Sequence, residues 1–405
     1  MPLQMTGAPD EPGLLGLPWS TPLEEWPEHL FVALPRGISR HVVRFVRLSG
    51  RVYAIKEVNE RYARREYRLL RDLTRQDVPA VEPVAVVTGR TDLAGEPLDS
   101  GLVTRHLQFS LPYRAVFSGT LRPDTMTRLL DALVVLIARL HLAGFFWGDC
   151  SLSNTLFRRD AGAFAAYLVD AETGELHPRI SDGQRAQDLD TAHINIYGEL
   201  LDLEAGGLLH ASVDPLATAG EIIRRYQALW DELTRQEVVP EVEWHRVDAR
   251  VRRLNSLGFD VAEMYMQRKL GAAGRLIVRP KVVDAGHHQR RLLRLTGLDV
   301  EENQARRLLN DLDAYRAARP YPRDEEILAH QWLSEIFQPT VQAVPRHLRG
   351  KLEPAQLFHE VLDHRWFLSE AAGHDVGLTT AVRSYVGNVL AFKPDEKAVL
   401  GEPPE

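Results

Sequence analysis

The sequence predicts an α+β fold in which a small strand-rich part is followed by a helical part and then by a mainly α-helical C-terminal domain. Three observations predict it. Between 30 and 58 the chain falls into short strand-like runs, Val42-Val43-Arg44-Phe45-Val46 and Arg51-Val52-Tyr53-Ala54-Ile55-Lys56, on either side of the turn Ser49-Gly50. From about 124 the pattern becomes helical, beginning with Asp124–Leu142. From 238 to 400 apolar residues recur at helical spacing in a third region.

Taken in order, residues 1–28 are rich in Pro and Gly and read as an irregular, partly ordered lead-in. After the two strand runs comes a helix over roughly 60–74, with Asn59 as its N-cap. Strand candidates follow at Val84–Thr88 and Leu102–Leu107, giving a small mixed sheet with one inserted helix. Beyond Asp124–Leu142 lie a short loop, the strand Ala166–Asp170, and helices near 186–204 and 215–236. The third region predicts helices at 241–255, 285–295, 299–317, 324–336 and 354–371. The expected boundaries are a segment 1–28, a domain 29–237 divided at 108/109, and a domain 238–405.

Composition narrows the function classes. Hydrophobic content of 44% and charged content of 26% are those of a soluble globular chain. One cysteine, Cys150, excludes an intrachain disulfide and a cysteine zinc cluster. Cys150 reads as a small buried thiol rather than a nucleophile. No apolar run is long enough to span a membrane, and the N-terminus lacks the basic and apolar regions of a signal peptide, so a cytoplasmic location is expected. A net charge of −7 argues against general nucleic-acid binding. Basic residues are almost all Arg; Lys56 is the only lysine in the first 268 residues. Position 56 therefore singles out a compact ammonium on a flexible stem.

The helix after Lys56 places Tyr62, Leu69, Leu70 and Leu73 on an apolar stripe, and Glu66 lies on that stripe. A carboxylate facing a core needs a cation, and Lys56 on the adjacent strand is the candidate; the alternative is an exposed Glu66 beside Arg65. The densest polar signal is Leu140–Phe157, reading LHLAGFFWGDCSLSNTLF. Its helix runs into Gly144, and Asp149 and Asn154 stand five apart in a short loop. Such a loop presents a base for a hydroxyl proton and an amide oxygen for a metal. Twenty-one residues beyond Asp149, a strand ends in the carboxylate Asp170. The bland reading makes these separate turn residues.

These stretches resemble the protein-kinase-like superfamily. The loop matches L-H-x-x-G-x-x-x-x-D-x-x-x-x-N-x-L at Leu140, His141, Gly144, Asp149, Asn154 and Leu156; Tyr53–Lys56 resembles the third-strand lysine motif and Val169-Asp170-Ala171 the metal-binding motif. The resemblance implies a bilobal fold, with a β-rich N-lobe and a helical C-lobe, and an ATP- and Mg2+-dependent phosphotransferase. Lys56 would hold the α/β-phosphates, Glu66 would pair with Lys56, Asp149 would orient the acceptor, and Asn154 and Asp170 would bind magnesium. Gly148 stands where protein kinases carry Arg, and Trp147-Gly148-Asp149 resembles lipopolysaccharide-core kinases and aminoglycoside phosphotransferases more closely. No G-x-G-x-x-G precedes Lys56; Gly37 and Ser39, in Arg36-Gly37-Ile38-Ser39-Arg40, are the candidates for the phosphate loop. Ala171-Glu172 replaces Phe-Gly.

Leu298–Ala318 and Glu360–Gly373 resemble an uncharacterised actinobacterial domain found behind kinase-like domains. Between 246 and 294 twelve Arg/Lys face four acids, a local charge of +8. This segment reads either as a solvated face or as a site for an anionic partner. The expected partners are ATP and an unidentified small-molecule or protein acceptor. The rival functions are a pseudokinase that senses nucleotide and acts through its C-terminal domain, and a nucleic-acid-associated protein using 246–294.

Overall fold

A computed structural model describes residues 2–7, 11–32, 34, 41–117, 123–235, 237–240, 249–250, 253–254, 259–260, 263–268, 275–281, 284–319 and 324–393. The chain divides into two compact units: one holds 1–158 and 166–224, the other 159–165 and, among the described residues, 225–393.

The first unit begins with a five-stranded antiparallel sheet of β1 (Gln4–Gly7), β2 (Val42–Leu48), β3 (Arg51–Val58), β4 (Pro83–Thr88) and β5 (Ser100–Arg105), in the order β1-β4-β5-β3-β2. Ser49 and Gly50 both take positive φ, at 48° and 77°, so the two-residue turn matches the twist of its strands and fixes the register from Leu48↔Arg51 to Val42↔Glu57. That register seats Lys56 between Val43 and Leu102, in mid-sheet.

Helix α1 (Glu60–Arg75) starts where the side chain of Asn59 accepts the amide of Arg61. Its buried stripe is Ala63, Glu66, Tyr67, Leu70 and Leu73, and part of it packs on Val58, Val86 and Leu102. Tyr62, assigned to the stripe from sequence, is 42% exposed. Ala63 takes the inward position because a methyl lets the helix approach the sheet. Glu66 remains on the buried face.

Among its described residues the lead-in forms one short strand and short 3-10 turns. Its β1 pairs with β4, and Leu14, Leu17, Trp19, Leu23 and Trp26 bury their side chains in the sheet's core. Trp19 and Trp26 meet edge to face at 5.2 Å. The buried guanidinium of Arg90 pins this segment through the carbonyls of Trp19 and Thr21, and also pairs with Glu57 at 2.6 Å.

The helical part of this unit contains α2 (Tyr113–Phe117), α3 (Pro123–Leu142), α4 (Asp182–Ala205) and α5 (Pro215–Thr234), the last running on into the second unit. Just before α2, β6 (Leu111–Pro112) pairs with β8 (Thr155–Asp160); β8 lies between α3 and α4 together with the adjoining β9 (Ala163–Leu168) and the short pair β7 (Phe145–Phe146) and β10 (Glu175–Leu176). Helix α4 opens on a capping box formed by Ser181 and Gln184. Among the described residues no helix is long and apolar enough to cross a membrane.

The second unit is mostly helical, with α6 (His287–Thr296), α7 (Glu302–Ala317), α8 (Glu325–Trp332), α9 (Gln338–Gln342), α10 (Pro354–Ala372) and α11 (Gly377–Asn388). Leu308, Trp332, Phe337 and Phe358 anchor one core; Val344, Leu357, Val382 and Tyr385 anchor another. The buried carboxylate of Asp160 caps α7, accepting the amides of Asn303 and Gln304 at 3.3 and 2.8 Å.

A three-stranded antiparallel sheet, β11 (Glu237–Pro240), β12 (Glu263–Arg268) and β13 (Arg275–Lys281), lies in a region where no strand was expected. Most of the expected helix 241–255 lies outside the described residues. So do most side chains of the basic segment. Of those described, Arg253 pairs with Glu232 and Arg291 with Glu325, at 3.2 and 2.6 Å.

Candidate active site

The first unit holds Lys56, Glu66, Asp149, Asn154 and Asp170, linked through the Lys56–Asp170 contact and the bond from the Val169 amide to the Asn154 carbonyl. Gly37 and Ser39 lie outside the described residues. Lys56 Nζ is the centre of a charge cluster: Glu66 Oε2 lies at 3.0 Å, Asp170 Oδ2 at 2.8 Å and Glu172 Oε2 at 2.9 Å. Glu66, 2% exposed, uses its other oxygen to accept the amide of Ala171 at 3.3 Å. Asp170 Oδ1 accepts the amide of Glu172 at 2.9 Å. Glu172 reaches His41 at 2.9 Å. The open alternative for Glu66 is thereby decided in favour of Lys56; Arg65 instead donates to the carbonyl of Gly174 at 2.7 Å.

Burial works against the Lys56 ammonium, yet the carboxylates of Glu66 and Asp170 hold it above its ordinary value. Burial and the neighbouring Asp170 push Glu66 up to about 8 against the pull of Lys56. Burial also opposes the Asp170 carboxylate, but Lys56 and the Glu172 amide keep it below its ordinary value.

The loop after α3 is shaped by two glycines. Gly144 has φ of 82°, and a Cβ there would stand 2.0 Å from the carbonyl oxygen of His177. Gly148 has φ of 77°, which turns the chain so that Asp149 follows directly. The amides of Trp147 and Gly148 both donate to Asp188, 2.7 Å each, and the ring of His141 meets the same carboxylate at 3.2 Å. Burial lowers His141, against the pull of Asp188. The thiol of Cys150 is buried and pushed up by burial, as expected of an inert cysteine.

Asn154 turns its amide nitrogen toward Asp149, 3.3 Å from Oδ2 and 3.1 Å from the backbone carbonyl. Its own carbonyl accepts the amide of Val169 at 3.0 Å, which ties Asn154 to the residue before Asp170. The Asp170 carboxylate and the Asn154 amide oxygen are hard donors of the kind magnesium takes. A second grouping, Glu66, Asp170 and Glu172, holds carboxylate oxygens within 4.8 Å of one another. Lys56 Nζ lies against all three of these carboxylates.

Sequence reasoning passed over Asp188, Asn195 and Glu199. All three sit on α4 and touch the loop. Asn195 donates to Asp149 Oδ1 at 3.0 Å and to the carbonyl of Cys150 at 3.2 Å. Glu199 accepts the amides of Leu152 and Ser153 at 2.7 and 2.8 Å.

Residues 44–199 match the lipopolysaccharide kinase (Kdo/WaaP) family. This kinase-family segment holds every described member of the cluster except His41. Residues 228–390 match a second family, a domain of unknown function named DUF4032. The chain thus fuses a kinase-like domain to an uncharacterised one. Among solved structures, one described as WaaP in complex with acyl carrier protein is 18% identical with a TM-score of 0.37, covering 64% of this chain and 99% of that chain. No curated protein matches the chain.

Proposed function

We propose that the kinase-family segment is an ATP- and magnesium-dependent phosphotransferase that moves a γ-phosphoryl group to a hydroxyl. The carrying observation is the partly buried Lys56 ammonium, shared by Glu66 and Asp170 at 3.0 and 2.8 Å, beside a loop that presents Asp149 and Asn154. Lys56 would hold the α/β-phosphates, with Glu66 fixing its direction from α1. Asn154 and Asp170 would hold magnesium, which would supply positive charge to offset that of the phosphates. Asp149 would orient the acceptor hydroxyl and take its proton. The acceptor oxygen forms its bond to the γ-phosphorus as the bond to the ADP oxygen breaks.

The test is Asp149→Asn, which keeps the volume and removes the proton acceptor. Phosphoryl transfer, including autophosphorylation followed by mass mapping, should be abolished. The thermal stabilisation by ATP and magnesium should stay near the wild-type value, about 2.7 kcal/mol at a hundred times the dissociation constant. A flat thermal response of the wild type to millimolar ATP, ADP and magnesium sinks the nucleotide reading altogether. Binding with no transfer in either protein favours the pseudokinase reading, which the lack of a G-x-G-x-x-G before Lys56 already motivates.

A further inference from the structure

Helix α4 carries three polar side chains on its loop-facing side, at Asp188, Asn195 and Glu199, spaced seven and four residues apart. Buried Leu189, Ala192 and Ile196 lie among them, so this stripe is part of the packed face of the helix. Each polar residue holds a different part of the loop. Asp188 takes the Trp147 and Gly148 amides, before the base; Glu199 takes the Leu152 and Ser153 amides, after it. Of the three, Asn195 is the one that donates to the base itself.

The Asp149 carboxylate is gripped on both oxygens. Asn195 Nδ2 donates to Oδ1 at 3.0 Å and Asn154 Nδ2 faces Oδ2 at 3.3 Å. Two donors on opposite oxygens fix the rotation of the carboxylate about its Cβ–Cγ bond. Asn154 sits on the same loop and moves with it. Asn195 sits on a 24-residue helix whose start is fixed by a capping box. Its bond to the Cys150 carbonyl at 3.2 Å keeps the amide in that orientation.

We propose that Asn195 is a positioning residue that sets the orientation of the Asp149 carboxylate toward the acceptor hydroxyl, with Glu199 anchoring the far side of the loop. The assignment rests on the phosphotransferase reading for its catalytic consequence, though not for the contact itself. Orientation of a base is worth rate because misplacement by a fraction of a bond length is felt in the barrier.

Asn195→Ala and Asn195→Asp separate this role from simple packing. Asparagine and aspartate have the same shape, but aspartate cannot donate and sets a second negative charge against Oδ1. If Asn195 positions the base, kcat falls about tenfold or more in Asn195→Ala and further in Asn195→Asp, with KM for ATP within about twofold of wild type. If it only fills space, Asn195→Asp keeps its activity and Asn195→Ala is the worse variant; that order overturns the proposal. Denaturant stability gives a readout that needs no catalysis. Asp149→Asn combined with Asn195→Asp reverses donor and acceptor, and should recover stability that Asn195→Asp alone loses. A combined variant no more stable than Asn195→Asp also overturns the proposal. A wild type inactive toward every acceptor, with recovery intact in the combined variant, refutes the phosphotransferase reading and leaves the contact standing.

Discussion

Asp188→Asn is the most direct probe of how the loop is held. The carboxylate is 1% exposed and accepts two backbone amides at 2.7 Å each, one per oxygen. Asparagine fits the same space with one acceptor oxygen, so one of the two amides must face an NH2 group. A hydrogen bond to a buried charged acceptor is worth about 1.5–3 kcal/mol, and leaving its donor unsatisfied costs about 1–3 kcal/mol. The contact with His141 at 3.2 Å is also weakened, though a neutral imidazole can still donate to the remaining amide oxygen. The expected loss is about 3–5 kcal/mol, a large share of the total stability of a domain. Urea unfolding followed by tryptophan fluorescence should show the midpoint falling with an unchanged slope, since Trp147 is buried beside the site. A loss below about 1 kcal/mol would refute the reasoning, because it would mean that water or a loop shift satisfies the orphaned amide.

Three further outcomes are expected. Lys56→Met and Glu66→Gln, combined in a double-mutant cycle on ATP affinity, should be non-additive by about 1 kcal/mol or more, and strict additivity would separate the pair. Burial lowers His106 to about 4, so its neutral form stabilises the fold above pH 6.5 and that contribution is lost as pH falls from 6.5 toward 4; the loss is at most about 3 kcal/mol, reduced by the part of the ring that water still screens. A stability–pH curve that is the same for wild type and His106→Asn would contradict this. Gly144→Ala must place a Cβ 2.0 Å from a backbone oxygen at a φ of 82°, and should cost about 2–4 kcal/mol; an unchanged melting temperature would show that the loop has room to move.

The parts of the site that could be read from sequence are those written in side-chain identity at short range. Asn59 announced the helix behind Lys56, and four residues of spacing put Glu66 on its inner face. Asp149 and Asn154 were visible because two polar groups with distinct chemistry sat in one loop. Asp188 and Glu199 were not visible, because each bonds backbone amides some forty residues away, and a backbone amide has no residue identity to match. The available signal was their polar spacing among Leu189, Ala192, Ile196 and Leu200, a buried stripe that a core helix has no other reason to carry. The buried side chains of the lead-in were hidden for a different reason. Trp19 and Trp26 are core residues held by proline-punctuated turns, where no helix or strand period exists to reveal an inner face. In the second unit, Met264–Met266 and Leu276–Val278 are apolar runs too short for periodicity to separate strand from helix, and the stretch between the expected helices 241–255 and 285–295 carried no element.

Glu172 shows how a departure from a familiar pattern can carry physical content. Read in sequence, Ala171-Glu172 is only the absence of Phe-Gly after Asp170. In the folded chain it puts a third carboxylate against Lys56 and within reach of His41. Three carboxylates about one ammonium leave a surplus of negative charge in a partly buried cluster. On the phosphotransferase reading, a polyphosphate cannot approach such a cluster unless positive charge arrives with it. Divalent cation and nucleotide should therefore bind as strongly coupled ligands, each tightening the other by the same factor. In Glu172→Gln the surplus is smaller, and titrations should find nucleotide binding less dependent on magnesium. If nucleotide affinity in wild type is the same with chelator as with magnesium, the charge cluster does not sit at the phosphates.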